Sequence, residues 1–232
     1  MVIEVRQTAL IHELKTQIES AGANREVVIG RGTASRPVTW DGVTQVRSVN
    51  LDGFALVERL ETSDFYVVAQ PGLRLSELHR LLSSKSLKFP FLKADANGTV
   101  GGMAASGQIF DGTGWYDISR WVLSVEVLLA DGSVSRTGAV TYKSVAGYDL
   151  PRLFCGSFGT LGIFTEIGLR LYPESASPFG KNLLPVRQRI PKLAPFPEAP
   201  LPSSAAGKIA FKLKQALDPS GIFPMLVGWN EI

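Results

Sequence analysis

The sequence has little cysteine and little histidine, and it contains no long apolar run. Cys155 is the one cysteine, and His12 and His79 are the two histidines, among 232 residues. This excludes an internal disulfide and a zinc site built on several cysteines, and it is typical of a reducing compartment. No apolar run approaches the ~20 residues that cross a bilayer, and the N-terminal residues lack the apolar region of a signal peptide. We expect a cytoplasmic domain with no transmembrane segment and no metal site.

The charge is nearly balanced over the chain but uneven along it. The formal net charge is +3, and residues 181–214 carry seven basic side chains against one acid, Glu198. A basic segment of this kind is able to dock on an acidic partner or an anionic membrane. A solvated face is the simpler interpretation, and we favour it. Nucleic-acid binding requires a more extensive basic patch and a known module, so none is expected.

Proline and glycine divide the chain into regions. Eight of the 14 prolines lie in residues 173–202, which predicts an extended connector because proline removes backbone donors and fixes φ. We therefore expect a folded domain over residues 1–175, with lobes of about 1–70 and 71–175. A connector over 176–202 then leads to a helix and tail over 203–232.

Short strands interleaved with a few helices predict an α+β domain. Apolar spacing and turn residues predict helices over 8–21 and 75–82, the second with Ser76 as its N-cap. The predicted strands cover residues 26–29, 45–51, 65–70, 122–129, 134–137 and 161–171. Asp131-Gly132 marks a hairpin between two of them.

Two small-residue segments adjoin predicted strands. Residues 29–35, IGRGTAS, match neither a dinucleotide fingerprint nor a P-loop, so alone they favour an ordinary polar turn over an anion site. Residues 95–107, DANGTVGGMAASG, fit two interpretations about equally. They are suited to a helix start packed closely on a sheet, and to a surface on which a flat or phosphorylated ligand lies against the main chain.

A third segment is specific as an ordered string. Residues 143–173 read KSVAGYDLPRLFCGSFGTLGIFTEIGLRLYP, after GTVGG at 98–102 and ADGSV at 130–134. Together they resemble the FAD-binding (PCMH-type) domain of the vanillyl-alcohol-oxidase flavoproteins. Within that family they are most similar to the glycolate oxidase FAD-binding E subunits and D-2-hydroxyacid dehydrogenases. The resemblance spans about 27–173 and resumes at 213–223, LKQALDPSGIF.

The resemblance implies a two-lobed fold that holds FAD. It places the turn at 30–35 around the pyrophosphate, and residues 95–107 around the pyrophosphate and the isoalloxazine edge. Gly162 and Ile163 match the main chain on the adenine-ribose side, and residues 143–149 match a signature next to the cofactor. The implied cofactor-binding residues are Gly30, Arg31, Gly32, Thr33, Ala34, Ser35, Asp95, Gly98, Thr99, Val100, Gly101, Gly102, Ser106, Gly107, Tyr148, Gly162 and Ile163.

Two departures from the family bear on function. Arg31 interrupts the first glycine turn, and that turn has no histidine, so the resemblance implies non-covalent FAD. The family inserts a substrate-binding cap where this chain has about thirty proline-rich residues. No residue is assigned a catalytic role here, since oxidation of a 2-hydroxy acid needs a base and cations beside the flavin and no such group is apparent.

Three functions follow as hypotheses. The first is an FAD-binding oxidoreductase subunit that acts on a small 2-hydroxy acid or relays electrons, completed by a second flavoprotein and an iron–sulfur subunit. The second is a non-catalytic assembly or scaffold protein that retains the fold. The third, a stand-alone dehydrogenase, is disfavoured because an uncapped flavin is open to water and oxygen. His79, on a predicted amphipathic helix, and Cys155, in an apolar stretch, are assigned structural roles.

Overall fold

A computed structural model describes residues 2–24, 27–31, 46–140, 150–176 and 205–223. The helices are α1 (Val2–Asn24), α2 (Leu75–Ser83), α3 (Val100–Ser106), α4 (Pro151–Phe154) and α5 (Ala205–Leu217). The strands are β1 (Val27–Arg31), β2 (Val46–Asn50), β3 (Val57–Glu61), β4 (Tyr66–Ala69), β5 (Leu87–Lys88), β6 (Gln108–Phe110), β7 (Trp115–Asp117), β8 (Val122–Leu128), β9 (Val134–Gly138), β10 (Ile163–Arg170) and β11 (Tyr172–Pro173). This mixture of helices and sheets confirms the predicted α+β class.

A five-stranded antiparallel sheet forms the centre of the described fold. Its strand order is β3-β4-β10-β8-β9, so the last long strand, β10, lies between β4 and β8. β10 pairs Ile167 with Ala69 on one side and with Val125 on the other. These three residues are fully or almost fully buried. The burial of these three side chains fixes the register, because a one-residue shift of a strand would move its side chains to the opposite face of the sheet.

β1 and β2 form a separate parallel pair, in which Gly30 pairs with Val49 and Arg31 with Asn50. α1 packs beside this pair. It is longer at both ends than the helix predicted over 8–21.

The helix over 75–82 is confirmed, but its N-cap is Arg74, which makes no side-chain capping bond. The prediction of Ser76 as the cap was therefore wrong. β3 and the β6–β7 hairpin were not predicted from the sequence. Neither contains the long alternating apolar run on which a strand prediction depends.

Buried apolar residues form two clusters. The sheet cluster lies between the five-stranded sheet and α2, α3 and α4, and all its buried members fall within residues 67–171. The closing cluster joins α1, the segment after β2, the neighbouring ends of β8 and β10, and the turn after α5. Its buried members are Leu14, Ile18, Ala21, Val49, Leu51, Phe54, Leu128, Ala130, Ile163, Ile222 and Phe223.

Candidate functional site

α3 begins in the glycine-rich segment predicted to face a cofactor. Thr99 is its N-cap, and the Thr99 hydroxyl oxygen accepts a hydrogen bond from the Gly102 amide at 3.2 Å. The helix ends at Gly107, which is left-handed with φ 68°. Asp95 and Gly102 are exposed, whereas Thr99, Val100 and Gly101 are buried. Of the implied second wall, Asp95 and Gly102 are therefore the members most open to a ligand.

The first-turn amides of α3 already have protein partners. The Val100 amide donates to the Leu73 carbonyl at 2.9 Å, and the Gly101 amide donates to the Pro71 carbonyl at 2.8 Å. Since the Gly102 amide is bonded to Thr99, this turn directs its donors into the fold. The helix-start interpretation of residues 95–107 accounts for these glycines without a ligand.

The short strip Pro71–Leu73 connects the parallel pair to α3, and sequence reasoning missed it. The Gly72 amide donates to the Phe54 carbonyl at 2.6 Å. A Cβ atom on Gly72 would lie 2.2 Å from the Leu51 carbonyl oxygen, so only glycine allows this approach. The available signal was the Pro71-Gly72 pair, which Gln70 separates from the end of β4, since such a pair marks a tight turn.

The C-terminal end of α3 contacts the loop that leads to β10. The Gly156 amide donates to the Ala104 carbonyl at 2.9 Å, and the Phe158 amide donates to the Ala105 carbonyl at 2.8 Å. Two of the three sequence segments thus lie against each other: the one that contains Ser106 and Gly107, and the GSFGTLG stretch.

Gly162 and Ile163 lie where β10 begins. A Cβ on Gly162 would lie 2.4 Å from a Val127 methyl group and 2.9 Å from the Leu128 carbonyl oxygen, so glycine is required for packing against β8. The Ile163 side chain is buried in the closing cluster. The Ile163 side chain is thus used in packing, and the main-chain contact with the adenine-ribose side of FAD stays a prediction.

The remaining implied residues are described only in part. Gly30 and Arg31 end β1, while Gly32, Thr33, Ala34, Ser35 and Tyr148 lie outside the described residues. The side chain of Arg31 is likewise not described.

Three carboxylates and two arginines, one of them Arg59, line an open cavity of about 720 Å³ on one face of the sheet. Glu126 and Glu166 are directly opposite each other on neighbouring strands. Arg136 contacts both, at 2.5 Å and 3.5 Å. Partial burial, then the charges of Glu166 and Glu126, raise the pKa of Glu58 despite a hydrogen bond from Gln70. Within the described residues, no group of three carboxylate, cysteine or histidine side chains is placed to hold a metal ion.

Cys155 is a half-buried free thiol beside α4. Burial, with a smaller contribution from Asp117, raises its pKa to about 12. The thiol therefore stays protonated and is a poor nucleophile at neutral pH, which agrees with a structural role. His79 lies on α2 and is half-buried.

A buried ion pair connects α5 to the loop before β10. Lys214 and Asp218 are each 3% exposed and form an ion pair. The Lys214 ammonium group also donates to the Thr160 carbonyl at 2.8 Å and to the Phe223 carbonyl at 3.0 Å. The two Asp218 oxygens accept from the Ile222 and Phe223 amides, each at 2.8 Å. Through these contacts, the LKQALDPSGIF segment holds the C-terminal end of α5 against the loop before β10.

The fold and these segments define a small two-cluster α+β domain of the FAD-binding type. The FAD-binding domain family matches residues 5–138, more than half of the chain. The chain belongs to this family, and FAD is its cofactor.

Several relatives share this domain. Glycolate oxidase subunit GlcE of Escherichia coli is 28% identical over 82% of this chain and 52% of its own length. Glycolate oxidase subunit GlcD of Bacillus subtilis is 36% identical over 56% of this chain and 28% of its own. Mitochondrial D-lactate dehydrogenase (cytochrome) of Arabidopsis thaliana is 41% identical over 50% of this chain and 20% of its own. The chain thus spans between about a fifth and a half of these relatives.

A solved structure shows the same fold. An alkyldihydroxyacetonephosphate synthase superposes with a TM-score of 0.52 at 21% identity, over 70% of this chain and 30% of that one.

The described residues fit FAD at one distinctive point. Gln108, directly after Gly107, is buried, and among the described residues neither its side-chain oxygen nor its side-chain nitrogen has a hydrogen-bond partner. A carboxamide has donor and acceptor groups side by side, as do the polar edges of the flavin and adenine rings. The chain thus supplies a polar group that its own fold leaves unsatisfied, next to two of the predicted segments.

In the part of the chain that the structure describes, no helix is both long and apolar enough to span a membrane.

Proposed function

We propose that this chain is the FAD-binding subunit of a flavin-dependent oxidoreductase that oxidises a small 2-hydroxy acid together with partner subunits. The observation that carries the proposal is the closure of the FAD-binding fold by α5. Lys214 and Phe223 attach this helix and its following turn directly to the domain. The long alignment with a glycolate oxidase subunit supports the same conclusion.

The residues proposed to hold FAD are the main chain of the 30–35 turn, the exposed Asp95 and Gly102, and the segments at 106–107 and 162–163. When bound, FAD supplies the two-electron acceptor for oxidation of an alcohol to a ketone. The 30–35 turn is proposed to contribute main-chain amides, since the first-turn amides of α3 are already bonded within the fold, and the other segments are proposed to orient the ring. Attachment is non-covalent, because residues 30–35 contain no histidine.

The substrate groups are proposed to come from partner chains. Oxidation of a 2-hydroxy acid needs a base near the C2 hydroxyl group and cations for the carboxylate. Among the described residues, the cavity on the central sheet is lined by Glu58, Glu126 and Glu166 together with Arg59 and Arg136, and Arg136 is already paired with two of the carboxylates. This set therefore offers no cation that is clearly reserved for a carboxylate substrate. A second flavoprotein and an iron–sulfur subunit are the proposed partners, and the cytoplasm is the proposed location.

One observation favours the alternative, a non-catalytic assembly protein that retains the fold. The first-turn amides of α3 bond to Leu73, Pro71 and Thr99, so this part of the domain is stable without a ligand. In that case FAD would be structural.

An absorption spectrum of the purified chain, before and after heat release, tests the proposal. We expect a flavin spectrum at near-equal stoichiometry, with all the flavin released on denaturation. Co-purification of partner subunits and 2-hydroxy-acid oxidation by the reconstituted complex are the expected follow-up results. A colourless protein that does not take up added FAD would contradict the cofactor assignment. A yellow protein whose assembled complex oxidises no 2-hydroxy acid would favour the assembly function.

A further inference from the structure

Gln108 is a buried side chain whose polar atoms the fold does not satisfy. The residue is 4% exposed. Its main chain is paired, since the Gln108 amide donates to the Ser106 hydroxyl oxygen at 3.3 Å and its carbonyl accepts from the same hydroxyl at 3.2 Å. Its side-chain nitrogen and oxygen have no hydrogen-bond partner in the part of the chain that the structure describes. A buried carboxamide without partners is costly, because it loses its hydrogen bonds to water and gains none in return.

Gln70 shows what this fold does with a glutamine that serves structure alone. Gln70 is 1% exposed. Its side-chain oxygen accepts from the Leu56 amide at 3.0 Å, and its side-chain nitrogen donates to Glu58. The side-chain amide of a buried glutamine is thus hydrogen-bonded at position 70 and has no partner among the described residues at position 108. Packing does not require a glutamine at position 108, since methionine has a similar shape and no polar group to satisfy.

The surroundings of Gln108 lie within the predicted cofactor segments. Gln108 begins β6 directly after Gly107. A Cβ on Gly107 would lie 3.1 Å from the Gly156 Cα, so the loop that leads to β10 passes close by. Ser106 and the residues 155–159 are only half-buried. Gln108 is therefore a buried residue whose main chain adjoins two of the segments that resemble the FAD-binding family.

We propose that the Gln108 carboxamide hydrogen-bonds, through its donor and acceptor together, the polar edge of a ring of bound FAD. This rests on the proposed mode of FAD binding. Both ring systems of FAD have such an edge: the imide of the flavin and the amino-pyrimidine side of adenine. In the ligand-free chain the unpaired Gln108 amide lowers the free energy of unfolding. When FAD binds, the new hydrogen bonds offset this loss. Residues that serve binding commonly reduce the stability of the free protein in this way.

The first measurement compares Gln108→Met with Gln70→Met, using ligand-free protein. We expect Gln108→Met to raise the melting temperature, because it removes an unsatisfied amide. Gln70→Met should lower it, because it leaves the Leu56 amide without its acceptor. A lower melting temperature for Gln108→Met would mean that the amide is satisfied in solution, and it would overturn the proposal.

The second measurement is FAD titration of the same variants, followed by flavin absorbance and fluorescence. We expect Gln108→Met to weaken FAD about tenfold or more, the loss expected for one or two buried hydrogen bonds. The spectrum of the residual bound flavin should shift if the flavin imide is the contact. Unchanged affinity in Gln108→Met, with the wild-type chain binding FAD normally, would overturn this inference alone. A wild-type chain that binds no FAD would overturn both the inference and the proposed function.

Fragments of the cofactor identify the ring. FMN carries the flavin edge and ADP carries the adenine edge. The substitution should weaken one of them and leave the other unchanged. Equal affinities of wild type and variant for both fragments would contradict a ring contact.

Discussion

The sheet cluster and the closing cluster are assembled in different ways. Every buried member of the sheet cluster comes from residues 67–171, so its contacts form within one stretch of chain. The closing cluster draws Leu14 and Ile18 from α1, and Ile222 and Phe223 from the turn after α5. Loop-closure entropy opposes contacts between such distant segments. The closing cluster is therefore expected to be the less stable part of the domain.

The ion pair of Lys214 and Asp218 offsets this weakness. It lies at the only buried charged position in α5 among the described residues, and it is completed by hydrogen bonds to the Thr160 and Phe223 carbonyls. Burial lowers the pKa of Lys214, while the neighbouring Asp218 acts in the opposite direction. A buried charge pair is strongly destabilising when one partner is removed. The closing cluster thus depends on a few polar contacts, whereas the sheet cluster depends on a broad apolar area.

Removal of the aspartate should have the largest effect. Asp218→Ala leaves the Lys214 charge buried and the Ile222 and Phe223 amides without acceptors, so we expect a loss of about 3–5 kcal/mol. Urea denaturation followed by circular dichroism measures this loss. In the double variant Lys214→Met/Asp218→Asn no buried charge remains, and part of the loss should be recovered. A double variant less stable than Asp218→Ala would contradict this account.

Matched cavity substitutions compare the two clusters directly. Leu78, in the sheet cluster, and Ile18, in the closing cluster, are both fully buried. Substitution of either by alanine should cost about 2–5 kcal/mol. Amide hydrogen exchange should distinguish them, because Ile18→Ala is expected to release α1 while β4, β8 and β10 stay protected. Loss of protection throughout the domain in both variants would show that the clusters unfold together.

The contact between the clusters is tested at Gly72. A side chain there would collide with the carbonyl oxygens of Leu51 and Phe54, at 2.2 Å and 2.7 Å, so Gly72→Ala should cost about 1–3 kcal/mol or more. Gly102→Ala is the control, because its Cβ would meet only the Thr99 hydroxyl oxygen, at 3.4 Å, and alanine favours a helix. We expect thermal unfolding of Gly102→Ala to be unchanged or slightly higher. Equal losses in the two variants would contradict the role assigned to Gly72.

The smallest expected effect concerns pH and Glu58. Burial and the charges of Glu166 and Glu126 raise its folded-state pKa, so the native state holds this proton more tightly than the unfolded state. The contribution of Glu58 to stability therefore falls as pH rises from its ordinary pKa through the raised one. Glu58→Gln should raise the free energy of unfolding at pH 7 and not at pH 3, by well under about 1 kcal/mol after solvent screening, as measured by thermal unfolding at the two pH values. A gain of equal size at both pH values would contradict the shift.

The elements with a clear period were predictable from the sequence. Leu75, Leu78 and Leu82 are spaced as on one helical face, and all three are buried on α2. The strands at β4, β8, β9 and β10 were also predicted to within a few residues, since each has apolar alternation or a turn residue at its end. The FAD-binding family was likewise evident from an ordered set of motifs.

The elements and contacts that depend on distant residues were not predictable. Ile209 and Leu213 are spaced as on one face of α5, but Ile209 is 61% exposed while Lys214 is buried. A lysine is buried only where other segments supply its partners. Here the partners are Thr160, Asp218 and Phe223, and a helical pattern gives no sign of a carbonyl 54 residues earlier.

The sequence by itself determined the class of protein, the order of most elements and the cofactor, because these depend on local patterns and on contiguous motifs. Only the tertiary structure decided which glycines are needed for packing, as at Gly72 and Gly162, and which buried polar groups find partners. The sequence does not distinguish Gln70 from Gln108, because both are glutamines. They differ because the partners of a buried amide come from whichever strands and loops the fold brings beside it, and within the described residues such partners lie beside Gln70 and not beside Gln108.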